Sequence, residues 1–138
     1  MKTTDARRAY LAVNIIFAGV ILLIMGYSGF YSPEKDNYPV TCIHELLTGK
    51  PCPSCGLSHA FSLILRGRFE EALQWNYASV RVFSFLALQL MMRIALGIRC
   101  FLTDRHLKKI SVTDAVISSV LALIAFYPFL KATWLALV

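Results

Sequence analysis

Charge is what this chain has least of, and the scarcity is uneven. Only 16% of its 138 residues are Asp, Glu, Lys or Arg, against 57% apolar, whereas soluble domains carry about 25% charged residues. No charged residue falls between Tyr10 and Tyr31, a stretch that at about 1.5 Å per residue outreaches a hydrocarbon core of roughly 30 Å. Charge is also absent from Ala115 to Leu130, and Asn76 to Ile98 holds only Arg81 and Arg93. These gaps exclude a soluble globular domain. They predict a single membrane domain over residues 1–138, with spans at about 10–31, 76–98 and 112–137. Internal repeats, low-complexity tracts, phosphate-cradling glycine loops and dinucleotide fingerprints are missing as well. No small-residue cleavage pattern follows the first apolar run before Pro33, so that run reads as an uncleaved anchor rather than a signal peptide.

Where charge does occur, it is mostly basic and close to the ends of the apolar runs. The net charge of +6 therefore needs no nucleic-acid partner. Lys2, Arg7 and Arg8 precede the first span, and Arg99, Arg105, Lys108 and Lys109 follow the second. The longer segment from Ser32 to Trp75 dilutes Lys35, Lys50, Arg66 and Arg68 with five acidic residues. The positive-inside rule then predicts a multi-pass protein of the cell membrane with a cytoplasmic N-terminus. The segment between the first and second spans falls on the outer side, where disulfides are tolerated.

That segment, residues 41–75, is punctuated in detail. Ser32 to Pro39 is polar and bracketed by prolines, which makes it a loop. Thr41 to Leu47 reads as a short helical turn ended by Thr48-Gly49-Lys50-Pro51. Leu57 to Arg66 is an apolar helix stopped by Gly67, and Phe69 to Trp75 is a second short helix with Glu70 and Glu71 at its positive end. Ten residues give roughly 15 Å, too little to cross a bilayer. Asn76 is placed to cap the second span, and Pro128 to kink or end the third. The expected fold is all-α: three transmembrane helices with a re-entrant or interfacial helical hairpin between the first and second.

Three of the four cysteines sit here. Cys52-Pro53-Ser54-Cys55 precedes the Leu57 helix, Cys42 lies upstream, and His44 and His59 flank the set. A C-x-x-C pair at a helix start favours a thiolate, and Cys42 is available to resolve a mixed disulfide. The same thiols with His59, four residues after Cys55 and so on the same helical face, supply a Cys3His set of the kind that holds zinc, with His44 as the other choice for the fourth ligand. The plainer reading is a structural disulfide or structural zinc pinning a loop. Cys100, at the far end of the second span, reads as a reduced bystander. Arg81 and Arg93 lie inside the second span but within two turns of its ends, so both read as snorkelling to the nearer interface. Gly56 and Gly67 read as backbone positions rather than chemical ones.

The run Cys42, Leu47-Thr48-Gly49, Pro51-Cys52-Pro53-Ser54-Cys55-Gly56-Leu57, Ala60, Arg66-Gly67, Ala72-Leu73 and Asn76 resembles a bacterial membrane family catalogued as domain of unknown function number 2752. The family's Thr-Arg is Ser58-His59 here, and its Pro after Asn is Tyr77. The first change trades a fixed charge for an imidazole and adds one metal-ligating group. The resemblance implies a membrane location and brings no activity or cofactor with it. Together these readings favour a small non-catalytic membrane protein whose Cys42/Cys52/Cys55 segment is a structural or binding element. It would act in the lipid bilayer with a membrane-protein partner or a second copy of itself. Thiol–disulfide exchange through Cys52, Cys55 and Cys42 is the alternative, although three thiols on one side are too few for a complete relay. Metal binding by Cys42, Cys52, Cys55 and His59 is the third.

Overall fold

Helix extends beyond the charge-free runs that reveal it. In the computed structural model, which describes residues 3–31, 49, 54–103 and 106–137, the described residues form five helices and no strand: α1 Thr3–Phe30, α2 Leu57–Leu65, α3 Phe69–Trp75, α4 Ser79–Leu102 and α5 Leu107–Leu137. Three stretches, Asp5–Phe30 in α1, Ser79–Leu102 in α4 and Leu107–Ala132 in α5, are long and apolar enough to cross a membrane. Helix α1 thus includes Arg7 and Arg8, which the sequence reading left outside the first span. Helix α5 runs through Pro128 rather than ending there. A proline inside a membrane span is tolerated because neighbouring groups re-satisfy the carbonyl that its missing N–H leaves unpaired. The expected turn at Thr41–Leu47 and the loop at Ser32–Pro39 lie outside the described residues.

The chain divides into two compact units, one of Met1–Ile24 with Phe85–Ile124 and the other of Met25–Ser84 with Ala125–Val138. The first is built from the opening three-quarters of α1, most of α4 and the first half of α5. Its outward positions are apolar: Ile15, Ile16, Leu123 and Ile124 are exposed, while Asn14, Gln89, Arg93 and Asp114 are buried. This is the reverse of a water-soluble bundle. It suits a solvent of hydrocarbon chains, in which apolar side chains gain nothing by hiding and polar ones must.

The second unit contains the expected hairpin, α2 packed on α3. Ala60 and Ala72 are completely buried, and side chains this small let two short helices approach closely. Helix α2 stops as the sequence indicated: Gly67 adopts φ +78°, its N–H donates to the Ile64 carbonyl at 2.9 Å, and the Arg68 N–H donates to the Leu63 carbonyl at 2.9 Å. That pair of bonds is the Schellman arrangement, which needs a left-handed residue just past the helix end. Arg66 then turns back. Its Nη1 donates to the Ser62 carbonyl at 2.9 Å and its Nη2 to the Gly29 carbonyl at 3.2 Å, while Ser62 Oγ donates to the Tyr31 carbonyl at 2.7 Å. The last carbonyls of α1 therefore find donors on α2, where a cation is also favoured by the helix dipole. In α3, Glu71 pairs with Arg68 at 2.6 Å across the first turn.

Gly56 is the tighter of the two glycine positions. Its φ is +76°, and a Cβ there would lie 2.8 Å from the Trp75 carbonyl oxygen, whereas one at Gly67 would meet nothing within 4 Å. Gly67→Ala should therefore cost about 1 to 2 kcal/mol, the left-handed penalty alone. Gly56→Ala should cost more, because it adds a backbone clash. Thermal unfolding of the detergent-solubilised variants checks the order, and equal losses would show that the α2 entry is not closely packed against Trp75.

Candidate functional site

The cysteine turn is assembled at the mouth of the hairpin, and one residue organises it. Asn76 ends α3 with its own N–H donating to the Ala72 carbonyl at 3.1 Å. Its side chain faces two ways: Nδ2 donates to the Cys55 carbonyl at 3.0 Å, and Oδ1 accepts from the Ala78 N–H at 2.9 Å. The second bond is the expected cap on the next span, though regular helix begins at Ser79 rather than Asn76. Ser79 Oγ adds a bond to the Ala72 carbonyl at 3.2 Å. Asn76 is buried, so neither half of its amide relies on solvent.

Within this frame Cys55 is half-buried and immediately precedes Gly56, the residue before α2. His59 lies one turn further on, its ring stacked on Trp75 with centroids 4.4 Å apart and planes 7° from parallel. Cys42, Cys52 and His44 lie outside the described residues, and among the described residues no group of three metal-ligating side chains comes together. Cys100 is a free thiol buried near the end of α4. Arg7 donates to its carbonyl from Nε at 3.0 Å and to that of Phe101 from Nη2, so the last turn of α4 has a cationic cap.

The sequence reading of Arg93 requires correction. Arg93 does not snorkel; it is 7% exposed and forms a two-pronged ion pair with Asp114, which is 6% exposed. Nη1 donates to Asp114 Oδ2 at 2.8 Å and Nη2 donates to Oδ1. Each of the three long helices contributes a polar pair one turn apart. Asp114 also accepts from Tyr10 Oη at 2.9 Å and from Ser118 Oγ at 3.1 Å. Arg93 also donates to Ser118 Oγ at 2.7 Å, Asn14 Oδ1 at 3.3 Å and Gln89 Oε1 at 3.4 Å. Asn14 Nδ2 returns to the Tyr10 carbonyl at 2.9 Å, and the Phe17 ring lies 5.9 Å from the guanidinium carbon. Gln89 Nε2 and Arg93 Nε are buried without a partner among the described residues. The signal was present as Tyr10/Asn14, Gln89/Arg93 and Asp114/Ser118, three i, i+4 polar pairs in otherwise apolar helices. Arg81, the other arginine that the sequence reading placed inside the second span, is exposed.

Three helices long and apolar enough to span a bilayer, with polar groups buried among them, define a multi-pass membrane protein. Residues 42–90 match the model of the family described as "Protein of unknown function (DUF2752)", the family that the Cys42–Asn76 pattern resembles. No curated protein and no solved structure matches the chain significantly.

Removing one member of the buried ion pair strands the other, which typically costs about 3 to 5 kcal/mol, whereas replacing both by apolar residues is close to neutral. Asp114→Leu and Arg93→Met should each lower the unfolding temperature of the solubilised protein steeply, and the double variant should recover most of the loss. Gln89→Leu should change little, within about 1 kcal/mol, because it forfeits only 3.4 Å contacts and removes an unpartnered amide. Strictly additive losses in the double variant would mean that the pair is not coupled.

Proposed function

We propose that the chain is a small non-catalytic membrane protein whose Cys42/Cys52/Cys55 segment is a structural or binding element leading into the α2–α3 hairpin. The observation that carries this reading is the double engagement of Asn76, which ties the carbonyl of Cys55 to the Ala78 N–H just before α4. Other residues of the family pattern serve the same end: Gly56 permits the close approach to Trp75, Gly67 ends α2, and Ala60 and Ala72 let the two helices meet. A frame held by backbone bonds and small-residue packing fixes the backbone at Cys55. In this reading the N-terminus is cytoplasmic, the cysteine segment lies on the outer side, and a membrane-protein partner or a second copy docks there.

Thiol counting and metal analysis of purified, unreduced protein test this. A structural disulfide predicts two thiols fewer than the four cysteines, no stoichiometric metal, and a loss of about 2 to 4 kcal/mol of stability on reduction. A thiol that alkylates quickly well below pH 8.5, with stability indifferent to reduction, would favour exchange chemistry instead. One tightly held zinc per chain, lost on His59→Arg, would favour the Cys42, Cys52, Cys55 and His59 metal reading. We expect His59→Arg to be tolerated, since a guanidinium plane also stacks on an indole. Asn76→Ala should cost about 1 to 3 kcal/mol by leaving the Cys55 carbonyl and the Ala78 N–H unpaired. On intact cells, an impermeant maleimide should label an engineered cysteine at position 36 and not one at position 105; the opposite pattern would invert the topology.

A further inference from the structure

In the first unit, the last turns of α4 and the first turns of α5 enclose a cleft of about 380 Å³. Its lining is graded. On α4, Met92, Leu96 and Arg99 follow one another along a single face at i, i+4 and i+7, from apolar to basic towards the helix end. Opposite it, His106 just before α5 and Lys109 in its first turn come first, then Ile110 and Thr113, and Ile117 lies furthest along the helix. The mouth is therefore cationic and the floor apolar. Arg99, His106 and Lys109 are all exposed and make no ion pair or side-chain hydrogen bond among the described residues. Asp114 also borders the cleft, but Arg93 already holds its carboxylate in the two-pronged pair. Among the described residues, the charge presented at the mouth is thus positive.

We infer that this cleft binds the phosphate-ester headgroup of an anionic lipid, with Arg99, Lys109 and His106 around the phosphate and the first acyl carbons against Met92, Leu96 and Ile117. The volume falls within the usual range for small-ligand sites of about 300 to 1,000 Å³. Basic pockets between the ends of membrane helices suit such headgroups, since each Lys or Arg near the surface adds attraction for an anionic lipid. A free phosphate shares the headgroup chemistry and would satisfy the mouth alone. The apolar floor, continuous with helices that are exposed to hydrocarbon, favours the lipid. The site is independent of the cysteine segment and does not rest on its role.

The full-length protein in a neutral detergent should be titrated with short-chain phosphatidylglycerol, the matching phosphatidylcholine and inorganic phosphate, with thermal stabilisation as the readout. Phosphatidylglycerol should bind at least tenfold more tightly than either of the others. Arg99→Gln/Lys109→Gln should weaken it by about 30-fold, and each single change by about 5-fold, following the worth of one basic side chain at an anionic surface. Arg81→Gln, on the same helix but away from the cleft, should alter it less than twofold. If the double variant does not fold, the two single variants decide. Equal affinity for the two lipids would overturn the inference, as would an unaffected double or single variant. Inorganic phosphate binding as tightly as phosphatidylglycerol and sharing its sensitivity to Arg99 and Lys109 would also overturn it, making the cleft a site for free phosphate.

Discussion

A polar group placed among apolar spans has to find its partner inside the protein, because hydrocarbon offers none and the cost of leaving it unpaired is several kcal/mol. The Arg93–Asp114 pair is where this constraint bears hardest. Counted along their helices, Arg93 is nine residues from the end of α4 and Asp114 seven from the start of α5, so at 1.5 Å per residue they stand at similar depths of roughly 10 to 14 Å. A bidentate pair accepts one register only. Tyr10 and Asn14 then tie α1 to the same point, with Tyr10 donating to Asp114 and Asn14 accepting from Arg93. With so little hydrophobic driving force between helices in lipid, such a pair defines which faces meet more sharply than packing alone.

The same accounting governs helix ends. Arg7 supplies donors to the final carbonyls of α4 and Arg66 to those of α1. At the hairpin, Gly67 closes α2 and Asn76 closes α3 while opening α4. Each of these residues satisfies backbone groups that would otherwise be orphaned beside a low-dielectric medium. Two arginines that charge counting assigns to membrane topology and loop composition thus also fasten one helix to another.

The spans, the hairpin and its punctuation were legible in the sequence because they depend on local signals: charge-free length, a glycine after an apolar run, a polar cap before a span. Gly67, and Asn76 in its bond to the Ala78 N–H, act through the backbone of their own neighbourhood; the bond from Asn76 to the Cys55 carbonyl is tertiary and was not legible. Arg93 was misread for the opposite reason. Proximity to a helix end allows snorkelling, and the sequence does not say that a carboxylate stands opposite until the three polar i, i+4 pairs are aligned across helices far apart in the chain. The stacking of His59 on Trp75 depends on the α2–α3 turn geometry, which no spacing rule supplies. Cys42, Cys52 and His44 lie outside the described residues, so the ligand set of the cysteine site rests on the sequence pattern alone.

The central claim is that the face of α5 that carries Asp114 and Ser118 is the one turned inward. It is tested most directly by a spin-label scan of α5 from residue 114 to 125, comparing collisions with oxygen, which partitions into lipid, and with a water-soluble nickel complex. The buried and half-buried positions Asp114, Ser118, Leu121 and Ala125 recur at the helical period, and Val116, Val120 and Leu123 are exposed. Oxygen accessibility should oscillate with that period, lowest at 114, 118, 121 and 125 and highest at 116, 120 and 123. A flat profile, or one with its minima at 116, 120 and 123, would contradict the account.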